Sequence, residues 1–181
     1  MRRKLCVATV ASLLCAPLAN AQSNSWSTAQ GRVVFTIPAE WSLEVNKDGY
    51  DFVTEAYDDR GQQTISCFAS VQELPNRSGA SQDLFNQRVA SRSVGAIAAK
   101  VGVGKAIGES FRTLGGVMVM QFAVEVQEAR GIERQDHMQF GVLSGNVFYG
   151  VAASCASPIS SPEWARSQIE TFMSSLVISA E

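Results

Sequence analysis

The sequence is poor in the residues that carry most protein chemistry. It has one histidine, His137, and past residue 21 only two cysteines, Cys67 and Cys155. A structural zinc site wants about four nitrogen or sulfur ligands, which this set does not supply. No C-x-x-C pair is present to lower a thiol pKa. Neither a G-x-S-x-G elbow nor an S-x-x-K motif occurs, so the common serine nucleophiles have no framework. Ser144 lies between glycine-flanked positions, but in a hairpin-turn pattern rather than a strand-to-helix turn. Gly102-Val103-Gly104, followed by Gly108, leaves a helical pattern and enters a strand. No helix N-terminus then faces an anion, and a phosphate cradle is not expected. No cofactor and no metal are expected.

Positive charge is also scarce. The formal net charge is −2. Without the three cations at the N-terminus, 12 basic residues stand against 17 acidic ones, a net −5. Nucleic acid and anionic lipid surfaces both need a basic face, so no nucleic-acid partner is expected. The one long apolar run, residues 5–18, is shorter than the ~20 residues of a spanning helix. Arg2, Arg3 and Lys4 precede it and Ala19-Asn20-Ala21 follows it, the pattern of a secretory signal cleaved after Ala21. Leu14 ahead of Cys15 speaks against a lipid anchor. The expected organisation is a signal peptide over 1–21, a flexible polar segment over 22–31 and one domain over 32–181. The expected location is the periplasm, with no integral membrane segment after cleavage.

What is present is a regular alternation of apolar residues. Strands are expected at 32–37, 41–46, 50–57 and 64–74, joined by turns at Lys47-Asp48-Gly49 and Asp58-Asp59-Arg60-Gly61. Pro38 ends the first and Trp41 starts the second. Ser81 and Asp83 start a helix expected to reach Lys100, with Leu84, Phe85, Val89, Ala96 and Ile97 as its apolar stripe. Four more strands follow at 105–114, 117–127, 132–143 and 147–155. In the second, Met118, Met120, Phe122, Val124 and Val126 share a face. In the third, Met138, Phe140 and Val142 do. A last helix is expected with Ser161 as cap and Pro162 at its first position. Its stripe is Ala165, Ile169, Phe172, Met173 and Leu176. Strands interrupted by single helices indicate an α+β fold, an antiparallel β-sheet with helices packed on its faces.

Cys67 alternates in phase with Ile65, Ala69 and Val71, and Cys155 with Tyr149, Val151 and Ala153. Both thiols point to a core in an oxidising compartment, and a Cys67–Cys155 disulfide is expected over two buried free thiols.

The Phe35-Thr36-Ile37-Pro38-Ala39-Glu40-Trp41 opening and the closing helix ending Phe172-Met173-Ser174-Ser175-Leu176 resemble the PsbP-like superfamily. That group takes in PsbP, Mog-type proteins and exported proteins of the DcrB and LpqN kind. The resemblance spans most of residues 32–178 and implies an α/β/α sandwich with adaptor or partner-binding work more often than catalysis. Related bacterial chaperones bind apolar helices of secreted cargo.

Four residues stand out as candidates for interaction. Arg88 and Arg92 are one helical turn apart and suit a carboxylate or an acidic patch. Phe148 falls on the strand face opposite Val147, Tyr149 and Cys155. His137 shares a polar strand face with Gln135 and Gln139, and the pattern favours an exposed histidine over a general base or metal ligand. Asp51, Glu55, Asp58 and Asp59 read as a solvated hairpin end rather than a calcium loop. Glu133, Arg134 and Asp136 read as an exposed charged strand face.

The expected function is an exported, non-enzymatic binding or adaptor domain of the cell envelope that recognises a protein partner or an apolar segment of one. Two alternatives remain. One is a carrier of a small apolar ligand, with Met118, Met120, Met138, Gly141, Gly150 and Ala152 around a cavity. The other is a hydrolase using His137 with a nearby carboxylate such as Asp136.

Overall fold

The computed structural model describes residues 24–92, 105–128 and 131–180. The expected signal peptide, the expected helical residues 93–100, the Gly102-Val103-Gly104 stop and the turn at Ala129 and Arg130 lie outside them.

Among the described residues, ten strands form two antiparallel sheets and two helices pack on the larger one. In chain order the elements are β1 (Asn24–Thr28), β2 (Val33–Ile37), β3 (Ser42–Lys47), β4 (Tyr50–Tyr57), β5 (Gln63–Pro75) and α1 (Gln82–Ala90). Then come β6 (Lys105–Leu114), β7 (Val117–Glu128), β8 (Gly131–Ser144), β9 (Val147–Pro158), α2 (Glu163–Ser174) and β10 (Val177–Ile178). The seven-stranded sheet runs β3-β4-β5-β9-β8-β7-β6. The two hairpin meanders, β3–β5 and β6–β9, join at its centre through β5 and β9. Cys67 stands opposite Cys155 in that central pairing and the two form the expected disulfide.

β2 does not join this sheet. It pairs with β1 and β10 in a small sheet of its own. Residues 24–28, expected to be loose, are strand because Trp26 lies against Phe35 and Phe52, with ring centroids 6.2 and 4.8 Å away. The turn into β2 holds Ala29 and Gln30 at φ +53° and +59°, a left-handed conformation that non-glycine residues rarely adopt. Ala29 is buried in the core, which offsets that strain. None of this shows in a polar stretch with one tryptophan.

The larger core lies between the small sheet, α2 and one face of the large sheet. Phe35 is its centre, with Phe172 stacked at 5.5 Å and Phe52 edge-on at 5.9 Å. Trp41 stacks on Phe172 and donates its indole N–H to Gln168 Oε1 at 2.9 Å. Met138, Phe140, Val142 and the disulfide complete this layer. The opposite face carries a smaller cluster of Met120, Phe122, Val124 and Val126 under Val89 of α1. Burial of this apolar surface is the main driving term for folding.

Local signals at the helix starts fared differently. Ser81 caps α1, its Oγ accepting from Leu84 N. Leu84 itself turns outward, and Phe85 and Val89 hold the inner stripe. In α2 the cap position is Pro162 rather than Ser161, without a side-chain bond; the Pro162 carbonyl accepts from Ala165 N at 3.0 Å. The proline ring fixes φ near −57°, while its ψ of 154° is still extended.

α1 is fastened to the sheet by two amide side chains. Gln82 Nε2 donates to Gly141 O at 2.8 Å, and Leu143 N donates to Gln82 Oε1 at 2.8 Å. Asn86 Nδ2 donates to Gly116 O at 2.8 Å, and Met118 N donates to Asn86 Oδ1 at 2.9 Å. The β7–β8 pairing ends at Val119 opposite Phe140, so these are the backbone groups left where the strands part.

Candidate functional site

Three of the four singled-out residues meet in one groove. It has a volume of about 450 Å³ and lies on the α1 side of the large sheet. Its floor comes from β5, β8 and β9, where Gly141 faces Gly150, Gln139 faces Ala152 and Ala152 faces Ser70. These small residues leave a trough, because little side-chain volume rises from the sheet there.

One wall is a stack of rings. Phe148 projects from β9 and its ring lies over Gly141: a Cβ added at Gly141 would come within 2.4 Å of Phe148 Cε2. Phe85 of α1 stacks on the other side of that ring, centroids 4.0 Å apart and planes 20° from parallel. The Arg88 guanidinium sits 5.6 Å above the Phe85 ring, a cation–π arrangement. Just past the end of α1, Arg92 donates to Gln139 Oε1 at 2.9 Å. Phe148 is thus half-buried by α1, not stranded on an open sheet. The helix expected to carry both arginines ends at Ala90 with Ser91 as its cap, so Arg92 lies beyond it rather than one helical turn from Arg88. The fold brings both, and Phe148 of the distant β9, to one groove.

His137 is not the exposed strand histidine the alternation favoured. It is on the predicted face, but its ring stacks on Phe122 at 4.8 Å and its Nδ1 lies 2.6 Å from Ser154 Oγ. Burial lowers its pKa below the usual 6.5, against a smaller raising effect of Asp136. Ser154 is 8% exposed. A nucleophile needs substrate access, and among the described residues the ring bonds to this buried hydroxyl alone. Alternation could not anticipate this, since the cross-strand partners Phe122 and Ser154 depend on register.

Asp136 points to the opposite face, where Arg134 grips it with two bonds of 2.9 and 2.8 Å. The carboxylate raises the Arg134 pKa. Both side chains are half-buried rather than exposed, beside a second hollow of about 300 Å³ under Ile169, Glu170 and Met173 of α2. His137 also borders this hollow, but as adjacent strand residues His137 and Asp136 project to opposite faces, and among the described residues no hydrogen bond joins them.

The hairpin carboxylates also serve structure. Asp51 accepts from Val71 N at 2.7 Å, and Asp58 Oδ1 accepts from Arg60 N and Gln62 N. Glu55 accepts from Tyr57 and Gln63. Among the described residues no group of three or more His, Cys, Asp or Glu side chains is placed to hold a metal ion. The methionines split from the small residues. Met120 and Met138 are fully buried in the two cores, while Gly141, Gly150 and Ala152 line the groove. Among the described residues no helix is long and apolar enough to cross a membrane.

No protein-family model and no curated protein matches the chain. Solved structures do. LpqN of Mycobacterium tuberculosis, described as involved in cell envelope biogenesis, superposes with a TM-score of 0.58 at 10% identity, over 89% of this chain and 87% of that one. Cyanobacterial PsbP from Synechocystis gives 0.58 at 16% identity, over 91% and 96%. PA94 of Pseudomonas aeruginosa gives 0.50 at 10% identity, over 88% and 99%. The chain has the PsbP-like fold.

Proposed function

We propose that this PsbP-like domain is an exported, non-enzymatic binding module of the cell envelope, and that it engages a protein partner, or an apolar segment of one, through the groove between α1 and the β8–β9 floor. The observation that carries this reading is the convergence of the Phe85–Phe148 stack, Arg88 and Arg92 on one trough. Aromatic and arginine side chains around a concave surface are what protein interfaces enrich. Export is supported by the N-terminal signal pattern and by a disulfide, which persists in oxidising compartments. The envelope role described for LpqN, a structure of the same fold, agrees with that location. The periplasm and cleavage after Ala21 are part of the proposal.

Site-specific cross-linking in the native host tests it. A photo-reactive side chain at Ala152 on the groove floor should yield a discrete protein adduct, and one at Glu163 on the exposed start of α2 should not. Equal labelling from both positions, or turnover of an ester or phosphate substrate abolished by His137→Ala, would overturn the reading.

A further inference from the structure

Arg88 and Arg92 are exposed cations that form no ion pair with a carboxylate among the described residues. Among the described residues, the ion pairs are Lys47 with Glu44 and Arg134 with Asp136. Among the described residues the Arg88 guanidinium meets the Phe85 ring and the Arg92 guanidinium the Gln139 amide oxygen. Each guanidinium has five N–H donors, and both groups line the groove with most of that capacity uncommitted among the described residues. Arg88 lies in the last turn of α1 and Arg92 just past its Ser91 cap, and both line the same groove, which suits two-sided recognition of one carboxylate. That an acidic chain keeps two uncompensated arginines beside an apolar trough is charge complementarity to an acidic ligand.

The trough also limits the rest of the ligand. Gly150 and Ala152 give an apolar floor, and Phe148 a flat apolar wall. Ser70, Gln72 and Gln139 interrupt that floor with hydrogen-bonding groups. An acyl chain would strand these groups, whereas a peptide backbone can pair with them.

We infer that the groove takes an extended peptide segment carrying a carboxylate next to an apolar side chain. Arg88 and Arg92 hold the carboxylate, and the Gly150–Ala152 floor takes the apolar group. This rests on the binding-module reading and specifies its ligand.

Selection of random dodecapeptides against the purified chain provides the probe, and fluorescence anisotropy of the best selected peptide provides the readout. The selected sequences should share Asp or Glu beside a large apolar residue. Replacing that acid by its amide should weaken binding about tenfold or more, without touching the protein. Arg88→Glu with Arg92→Glu should do the same; both positions are exposed, so the fold is unaffected. Gly150→Leu fills the floor, and its Cβ meets nothing closer than 3.6 Å; urea denaturation of this variant confirms that it folds. The substitution should also abolish binding.

Loss with Gly150→Leu alone would keep the groove as the binding site and overturn the acidic-ligand inference. Survival of binding in every variant would overturn both. Loss with the arginine changes alone would show a surface charge patch and also overturn the inference. So would failure to select any peptide, or retention of an acyl compound by the native protein in mass spectrometry.

Discussion

Gln82 and Asn86 are joined by a side-chain hydrogen bond of 3.1 Å, and together they stand in for a missing rung of β-sheet. Past Val119 and Phe140 the strands β7 and β8 no longer pair, which leaves Gly116 O, Met118 N, Gly141 O and Leu143 N without a ladder partner. The two amides present a donor and an acceptor each, as a backbone would, and satisfy all four groups. α1 is thereby held at the height from which Phe85 reaches Phe148. The groove depends on this plug.

Removing either amide should therefore cost more than an ordinary side-chain contact. Gln82→Ala leaves Gly141 O and Leu143 N unpaired, and Asn86→Ala leaves Gly116 O and Met118 N. Each should lower stability by about 1–3 kcal/mol, because an unmade bond retains the desolvation penalty. The double variant should lose less than the sum of the two, since each loss already breaks the bond between them. Urea denaturation of the three variants checks this, and costs that add fully would refute the coupling.

Gly141 must lack a side chain because the Phe148 ring occupies its Cβ position. Gly141→Ala should displace that ring, break the stack with Phe85 and destabilise the fold by about 1–3 kcal/mol, as overpacking does. Phe148→Ala added to Gly141→Ala should recover part of the loss. If the double variant is no more stable than Gly141→Ala, the ring is not the cause.

The disulfide closes a separation of 88 residues between the two central strands. Chain-entropy reasoning for such a loop gives a contribution of about 4–5 kcal/mol. Cys67→Ala with Cys155→Ala should shift the guanidinium midpoint far down with little change in far-UV circular dichroism at low denaturant. A midpoint unchanged from the oxidised protein would mean that strain in the folded state cancels the entropic gain.

His137 makes stability depend on pH on the acid side. Its folded pKa is depressed below 6.5 by burial, so between the two values the unfolded chain binds the proton and the folded chain does not. Stability from this group is complete above pH 6.5 and falls as the pH drops through 6.5 towards the folded pKa, where the loss levels off. The urea midpoint of the wild type should fall faster than that of His137→Gln over this window. Parallel curves would indicate that the ring titrates normally in the fold.

Much of the architecture was legible because it is local. Alternation marks strands, a serine followed by an acid marks the start of α1, and two cysteines in phase with core residues mark a bond. The Phe-Thr-Ile-Pro-x-x-Trp stretch carried the fold resemblance because Phe35 and Trp41 anchor the main core. What stayed hidden depends on neighbours distant in the chain. β1 is strand because of Phe35 and Phe52, and β10 because β2 offers it an edge. His137 is half-buried because register sets Phe122 and Ser154 beside it.

The sequence alone determined the alternating faces, the two helices, the cysteine pair and the scarcity of catalytic groups, since each follows from residue type and spacing. The tertiary structure decided that β2 leaves the large sheet, that His137 and Asp136 part to opposite faces, and that Phe148 meets Arg88 and Arg92. Those outcomes rest on strand register and on how α1 docks, and both are set by contacts between segments dozens of residues apart.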